Sequence, residues 1–225
     1  TTERPAVESE GRLHAFCHAL PDRWHLMGVM LSAAGSLRWY RDALAPGVEF
    51  DELVEEAASV PAGSDGLLFL PYLTGERTPH ADPLARGAFV GLTVHHGRAH
   101  LTRAVLEGVA FNLAICISAF REHGQAIERV DAIGGGAASA TWLQILADVW
   151  GCTVRRRSVV EEANSLGAAI TAGVGVGMFA DFSIARQLSE VVGVFEPDSD
   201  RHAAYQASHR RFVDAYARLE PWFDQ

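Results

Sequence analysis

The chain has 225 residues, of which 48% are hydrophobic and 21% are charged, and its formal net charge is −9 at pH 7. This composition is typical of a globular protein with one large or two small domains. The acidic balance argues against a nucleic-acid-binding protein, because such proteins carry basic surfaces. The three widely spaced cysteines predict reduced thiols and no metal site.

The sequence shows no secretory signal and no apolar run of about 18 residues, so we expect a cytoplasmic protein without a membrane span. The chain begins Thr1-Thr2-Glu3 without a methionine, and residues 1–12 are polar and without hydrophobic period. We therefore expect the amino terminus to be the boundary of a fragment of a longer protein.

Alternating or short apolar runs predict strands, and apolar residues three and four apart predict helices. The predicted strands cover residues 12–19, 24–31, 67–71, 87–92, 130–133 and 153–155, and the predicted helices cover 32–45, 49–59, 100–123, 137–150, 163–176, 182–188 and 200–223. This series, without a linker or repeat, predicts one α/β domain of layered type. We expect the glycine-rich helix 163–176 to pack against the turn described next.

The segment 129–151 is the centre of the pattern, because a short apolar strand stops at Gly134–Gly136 and a helix follows. Glycines allow a positive φ and let a ligand lie against the main chain, and a helix N-terminus attracts anions. Ser139 or Thr141 is a candidate N-cap. The spacing matches neither a dinucleotide fingerprint nor a P-loop. The turn therefore predicts a nucleotide or phosphate site, with a purely structural turn as the alternative.

Two other segments carry small or charged residues at turns. The run Ser32–Ser36 opens a helix, which either packs tightly on the sheet or forms the far wall of the same site. Residues 72–80 contain two functional candidates, Glu76 and Arg77, on an irregular loop. These two side chains make either a local salt bridge or a contact outside their own element.

Two motifs carry a resemblance to the FGGY carbohydrate kinases. Gly87–Leu92 (GAFVGL), seven further residues and His100–Glu107 (HLTRAVLE) are similar to the second signature of this family, and Ala132–Ala137 resembles its adenosine segment. Within the family the chain is most similar to the xylulokinases, through residues 16–21, 24–27, 31–34 and 69–80. The resemblance implies an actin-like, ribonuclease H-like ATPase lobe with a mixed sheet flanked by helices.

The resemblance also implies that residues 1–225 are one carboxy-terminal, nucleotide-binding domain. The sugar-binding residues and the catalytic base would lie in an amino-terminal lobe absent from this chain, so we expect no catalytic residue and no metal ligand here. The implied nucleotide-binding residues are Gly134, Gly135, Gly136, Ala137 and Ser139 on one side and Ala34, Gly35, Ser36 and Arg38 on the other. Glu76 and Arg77 would form a contact between the lobes.

This chain departs from the pattern of glycerol kinases at three positions. Ala34 and Arg38 stand where those enzymes have glycine and glutamine, and Ala140 stands where they have asparagine. Arg38 could instead stack on the base or pair with a phosphate.

The resemblance implies ATP and Mg²⁺ as ligands, and it leaves a homodimer open. The first functional hypothesis is one lobe of an ATP-dependent kinase that converts D-xylulose to D-xylulose 5-phosphate and is inactive alone. One alternative is another FGGY kinase acting on glycerol, gluconate or a different polyol or ketose. The other is a noncatalytic nucleotide-binding module.

Overall fold

The computed structural model describes residues 1–5, 8 and 11–223. The helices and strands are β1 (His14–Cys17), β2 (Trp24–Met27), α1 (Ala33–Leu44), α2 (Phe50–Ala58), β3 (Leu68–Leu70), β4 (Ala88–Val90), α3 (Arg98–Glu122), β5 (Arg129–Ala132), α4 (Ala140–Trp150), β6 (Thr153–Arg157), α5 (Ala163–Gly175), α6 (Ile184–Leu188), β7 (Val191–Phe195) and α7 (Ser199–Phe223). Each predicted element is present, with bounds that differ by a few residues.

The strands form three small sheets in the described part of the chain. β1 pairs with β2 and β3 pairs with β4, both antiparallel. β6 lies between β5, which is parallel to it, and β7, which is antiparallel, so this sheet is mixed as predicted. β2 is shorter than predicted because Val29 bonds to the loop residue Thr78 through its backbone N–H and C=O groups.

Helix α3 lies at the centre of the core and contacts α1, α2, α4 and β3. It is long and apolar enough to cross a membrane, but 67% of its most apolar window is buried inside the chain, as in a core helix. Its closest approach to β3 is at Gly108, where a Cβ would lie 2.2 Å from the Phe69 carbonyl oxygen. A residue larger than glycine therefore does not fit at this position without moving α3 away from β3.

A buried ion pair within α3 is bonded to Tyr205 of α7. Arg103 Nε donates to Glu107 Oε1 at 2.7 Å, and Tyr205 Oη donates to the same oxygen at 2.8 Å. The backbone N–H of Gly63 and the hydroxyl of Ser64 also donate to the Glu107 carboxylate. The four donors satisfy a charge that would otherwise be costly to bury.

The prediction that α5 packs against the glycine turn is wrong. Its main contacts within the described residues are with α6, and most of its length is exposed. A Cβ added at Gly167 would meet no atom within 4 Å. Gly167 therefore does not serve close packing inside this chain, whereas a Cβ at Gly173 would lie 2.5 Å from the Phe179 ring. The glycine turn bonds instead to the loop before α5, where Gly134 N donates to Val160 O.

We expect Gly108→Ala to lower the free energy of unfolding by roughly 2 to 3 kcal/mol, because the new methyl group overlaps the Phe69 carbonyl. The matched control is Gly167→Ala, a helical glycine with open space around it, which should gain roughly 0.5 to 1 kcal/mol from helix propensity. Urea unfolding followed by circular dichroism measures both. Equal effects of the two variants would contradict the close packing of α3 on β3.

Candidate functional site

The glycine turn leaves β5 and forms a short 3₁₀ segment, Gly135–Ala138, before α4 begins at Ala140. Only the first of the three glycines, Gly134, has a positive φ, of 79°. Gly135 and Gly136 therefore do not use the positive φ that glycine allows. Ser139 caps α4, because its hydroxyl oxygen accepts a bond from Trp142 N at 3.1 Å. Of the two N-cap candidates, Ser139 and Thr141, Ser139 is confirmed.

The turn rests on the indole ring of Trp142. A Cβ at Gly136 would lie 3.1 Å from this ring, so glycine here permits close packing on tryptophan. Trp142 Nε1 in turn donates to the Leu106 carbonyl of α3 at 3.2 Å. Arg156 of β6 donates to the Ala138 carbonyl at 3.2 Å. The turn is thus held to α3 through Trp142 and to the sheet through Arg156.

The start of α1 is held without a side-chain cap. Ser32 Oγ lies 3.2 Å from Thr74 Oγ1 rather than bonding to an amide of α1. The buried Ser36 hydroxyl donates to the Ser32 carbonyl. The side chains of the first turn of α1 therefore leave its amide groups without a side-chain acceptor.

A cavity of ≈ 320 Å³ separates α1 from the glycine turn. It is lined by Ala34, Leu37, Arg38, Phe50, Asp51, Val54, Gly135, Gly136, Ala138, Ser139, Trp142 and Glu161. Its volume lies in the range of small-molecule sites, and its walls combine apolar side chains with a few polar groups, as such sites do.

The structure brings five of the predicted site residues to this cavity, namely Ala34, Arg38, Gly135, Gly136 and Ser139. The other four do not line it. Ala137 and Ser36 are buried, Gly134 bonds to the loop before α5, and Gly35 is exposed at the first turn of α1. The two predicted segments therefore face one cavity, although not through every residue.

Helix α2 contributes a wall that the sequence analysis missed. Phe50, Asp51 and Val54 line the cavity. The spacing of Phe50 and Val54 at i and i+4 is the signal that marks this face of the helix. Glu161, in the loop before α5, was also missed, and no local pattern distinguishes it from other surface carboxylates.

A larger cavity of ≈ 390 Å³ lies at the end of α2, among α3, α4 and the start of α7. Its charged side chains already have partners, since Arg103 bonds to Glu107 and Asp148 bonds to Arg201. Among the described residues, by contrast, Arg38 has no ion-pair partner. The smaller cavity therefore offers the cation that a phosphate or a base can contact.

Glu76 does not reach the surface, so the prediction that it contacts another lobe is wrong for this residue. Glu76 is only 2% exposed, and its carboxylate accepts bonds from Leu31 N at 2.9 Å and Asn112 Nδ2 at 3.0 Å. Arg77 is exposed on the same loop. No salt bridge joins the two among the described residues, and the contact of Arg77 with a second lobe stays a prediction.

The cavity does not supply a magnesium site by itself. In the described ranges, no group of three histidine, cysteine, aspartate or glutamate side chains is arranged to hold a metal ion. Asp51 and Glu161 are the two carboxylates of the cavity. Mg²⁺ in kinases usually depends on substrate phosphates, so Mg²⁺ stays a prediction for the ATP complex.

Comparison with protein families gives a match over residues 1–176 to the FGGY family of carbohydrate kinases, C-terminal domain. The match covers more than half of the chain. The chain belongs to this family.

Individual relatives agree with the family. The chain is 40% identical over 212 residues to a xylulose kinase of Staphylococcus epidermidis, covering 94% of this chain and 42% of that protein. It is 34% identical to a gluconokinase of Bacillus subtilis, covering 99% and 45% of the two chains. The crystal structure of a xylulose kinase from Rhodospirillum rubrum superposes with a TM-score of 0.86 at 33% identity, covering 98% and 45%. The actin-like, ribonuclease H-like fold is confirmed, and the chain spans less than half the length of these relatives.

We expect Gly135→Val to weaken ATP binding to this chain at least tenfold while leaving its melting temperature nearly unchanged. Gly135 lines the cavity, its φ is not positive, and a Cβ there meets no protein atom within 4 Å. The added side chain therefore competes with a ligand rather than with the fold. Isothermal calorimetry and thermal unfolding measure the two effects.

The control is Gly124→Ala, at an exposed turn whose glycine does not line the cavity. This variant should keep the ATP affinity unchanged, even if alanine at a positive φ of 74° lowers the stability of the chain. Equal ATP affinity in Gly135→Val and the unchanged protein would show that the glycine turn is only structural.

Proposed function

We propose that this chain is the nucleotide-binding lobe of an ATP-dependent sugar kinase that phosphorylates D-xylulose. The observation that carries the proposal is the meeting of the glycine turn and the start of α1 at one cavity, in a chain of the FGGY carbohydrate kinase family. The names of the xylulose kinase relatives support the choice of sugar.

The cavity suits the nucleoside part of ATP better than its phosphates. Leu37, Phe50 and Val54 offer apolar surface to a flat base, and the backbone at Gly135 and Gly136 allows a ribose to lie close. Asp51 and Glu161 would repel a triphosphate, because like charges are unfavourable at short range. The phosphates of a bound ATP would therefore extend out of the cavity, away from these two carboxylates.

Arg38 is the cation of the cavity, and it has two uses in this proposal. Its guanidinium group can stack on the base or pair with a phosphate oxygen as the phosphates leave the cavity. In either contact, Arg38 supplies positive charge on the α1 side of the cavity. The start of α1 on the same side has no side-chain cap.

Phosphoryl transfer depends mainly on positioning and charge stabilisation, so a nucleotide-binding lobe contributes by fixing one reactant. The family resemblance assigns the sugar site and the catalytic base to an amino-terminal lobe. Closure of two lobes would exclude water, which competes with the sugar hydroxyl for the phosphoryl group. Arg77, exposed beside the buried Glu76, is the proposed contact of this lobe during closure.

A second candidate substrate is gluconate, because a gluconokinase is also a relative, at 34% identity over 99% of this chain. The walls of the cavity do not discriminate between the two sugars, since the sugar would bind mainly to the other lobe.

We expect the 225-residue chain to bind ATP but to phosphorylate no sugar. Calorimetry with ATP, and a coupled assay for ADP release in the presence of D-xylulose and Mg²⁺, test the two parts. The same assay on the longer enzyme, with D-xylulose and gluconate compared by kcat/KM, tests the sugar. Phosphorylation of D-xylulose by the 225-residue chain alone would contradict the two-lobe proposal, and a higher kcat/KM for gluconate would favour the alternative substrate.

A further inference from the structure

The loop between β3 and β4 places a carboxylate in the interior of the chain. Glu76 Oε1 accepts from Leu31 N at 2.9 Å and from Arg77 N at 2.7 Å, and Oε2 accepts from Asn112 Nδ2 at 3.0 Å. The carboxylate thus joins three segments: the residues leading into α1, its own loop, and the core helix α3. All the bonds it makes here are accepted bonds, which is the pattern of an ionised carboxylate.

His80, Tyr72 and Asn112 form a chain of hydrogen bonds in which each group donates toward Glu76. Tyr72 Oη donates to Asn112 Oδ1 at 3.2 Å, so its oxygen receives the proton of His80 Nε2 at 3.0 Å. Asn112 Nδ2 then donates to Glu76 and, at 3.3 Å, to the Thr78 carbonyl. A proton on Glu76 removes the negative charge and takes one of the acceptor positions of the carboxylate, so protonation weakens this link.

Glu76 is the group of this network that titrates near neutral pH. Burial raises the pKa of Glu76 to about 7, although the bonds from Arg77, Leu31 and Asn112 lower it in part. Burial lowers the pKa of His80 to about 4, and burial raises the pKa of the Cys116 thiol on α3 to about 12.

Other polar groups also surround the network. Burial raises the pKa of Tyr72 above its usual value, and Tyr216 of α7 stacks on His80 while its hydroxyl donates to Asp82 Oδ2 at 2.8 Å. Arg77 is exposed and contributes only its backbone N–H to the carboxylate. Of the groups in this network whose pKa is shifted, Glu76 is therefore the one whose pKa lies near 7.

The bond to Leu31 N connects this network to the candidate nucleotide cavity. Leu31 lies two residues before α1 begins, and α1 carries Ala34 and Arg38 on the cavity wall. A second tie, between Ser32 Oγ and Thr74 Oγ1, joins the same two segments. The position of the α1 wall is therefore set by the loop that Glu76 anchors to α3.

We propose that Glu76 is a positioning residue for the nucleotide site, holding the start of α1 in register with the glycine turn when its carboxylate is ionised. The inference rests on the proposed function, because it assigns to that cavity a nucleotide whose affinity depends on the charge of Glu76. Protonation weakens the bonds from Asn112 and Leu31 and so loosens the α1 wall, and the nucleotide therefore binds more weakly at acidic pH. By linkage, a bound nucleotide favours the ionised form of Glu76 and lowers its titration midpoint.

The test uses adenosine as the probe, because it carries no phosphate that titrates near neutral pH. We expect adenosine to bind the full chain on the order of three- to tenfold more tightly at pH 8 than at pH 6. Glu76→Gln should bind weakly at both pH values, because the permanently neutral amide cannot restore the ionised form. The matched control is Glu220→Gln, the same change at an exposed position on α7, which should keep the affinity and the pH dependence.

A second measurement needs no variant. In the unchanged chain, the amide proton resonances of Leu31 and Arg77 should shift with a midpoint near pH 7, and saturating adenosine should move that midpoint to lower pH. Amide shifts that are flat between pH 5.5 and 8.5, or a midpoint that adenosine does not move, would overturn the inference. So would a Glu76→Gln variant with unchanged adenosine affinity and pH dependence.

Failure of the proposed function has a different signature. If neither ATP nor adenosine binds the unchanged chain at any pH, the nucleotide site is overturned together with the role of Glu76 in it. If the ligands bind but affinity is independent of pH and of Glu76, the nucleotide site stands and only the positioning role is overturned.

Discussion

The close contact between α3 and β3 at Gly108 is the constraint on which the rest of this structure depends. The missing side chain lets the Phe69 carbonyl approach the helix, so the core helix lies directly on the strand. Helix α4 then packs on α3 through two indole groups, with Trp142 Nε1 and Trp150 Nε1 donating to α3 carbonyls. Displacing α3 would therefore displace α4 and the glycine turn that precedes it.

Both walls of the candidate cavity are held in place by hydrogen bonds to α3. The glycine wall rests on Trp142, which bonds to Leu106 of α3. The α1 wall follows Glu76, which receives a bond from Asn112 of α3 and accepts the amide of Leu31. Leu106 and Asn112 are six residues apart, or about 9 Å along a helix axis. A rigid helical segment therefore sets the spacing between the two walls.

The sequence predicted the features that are written in local composition. The strand, glycine turn and helix around Gly134 follow from a change in hydrophobic period at three residues without side chains, and the small residues before Arg38 predicted the opposite wall. The contribution of Phe50 could not be predicted in this way, because it depends on how α2 packs on α3 and α4 in three dimensions. The sequence likewise could not show that Gly134 alone among the three glycines has a positive φ.

Glu76 shows why sequence reasoning fails at buried charges. A glutamate beside glycine, arginine and proline is normally solvated, and composition alone predicts an exposed loop. Its burial depends on donors that are 45 and 36 residues away in the chain, Leu31 and Asn112. Such partners satisfy the carboxylate only after the fold has formed, so no local pattern could indicate them.

The two walls differ in the kind of interaction that holds them. Trp142 is fixed by packing and by a bond between two neutral groups, neither of which changes charge near neutral pH. The α1 wall is fixed through a carboxylate whose pKa lies at about 7. A change of pH therefore acts on the side that carries Arg38 and leaves the glycine side in place. Contacts of a ligand with the backbone of Gly135 should consequently persist where its contacts with α1 weaken, which separates the two halves of the site by their response to protons.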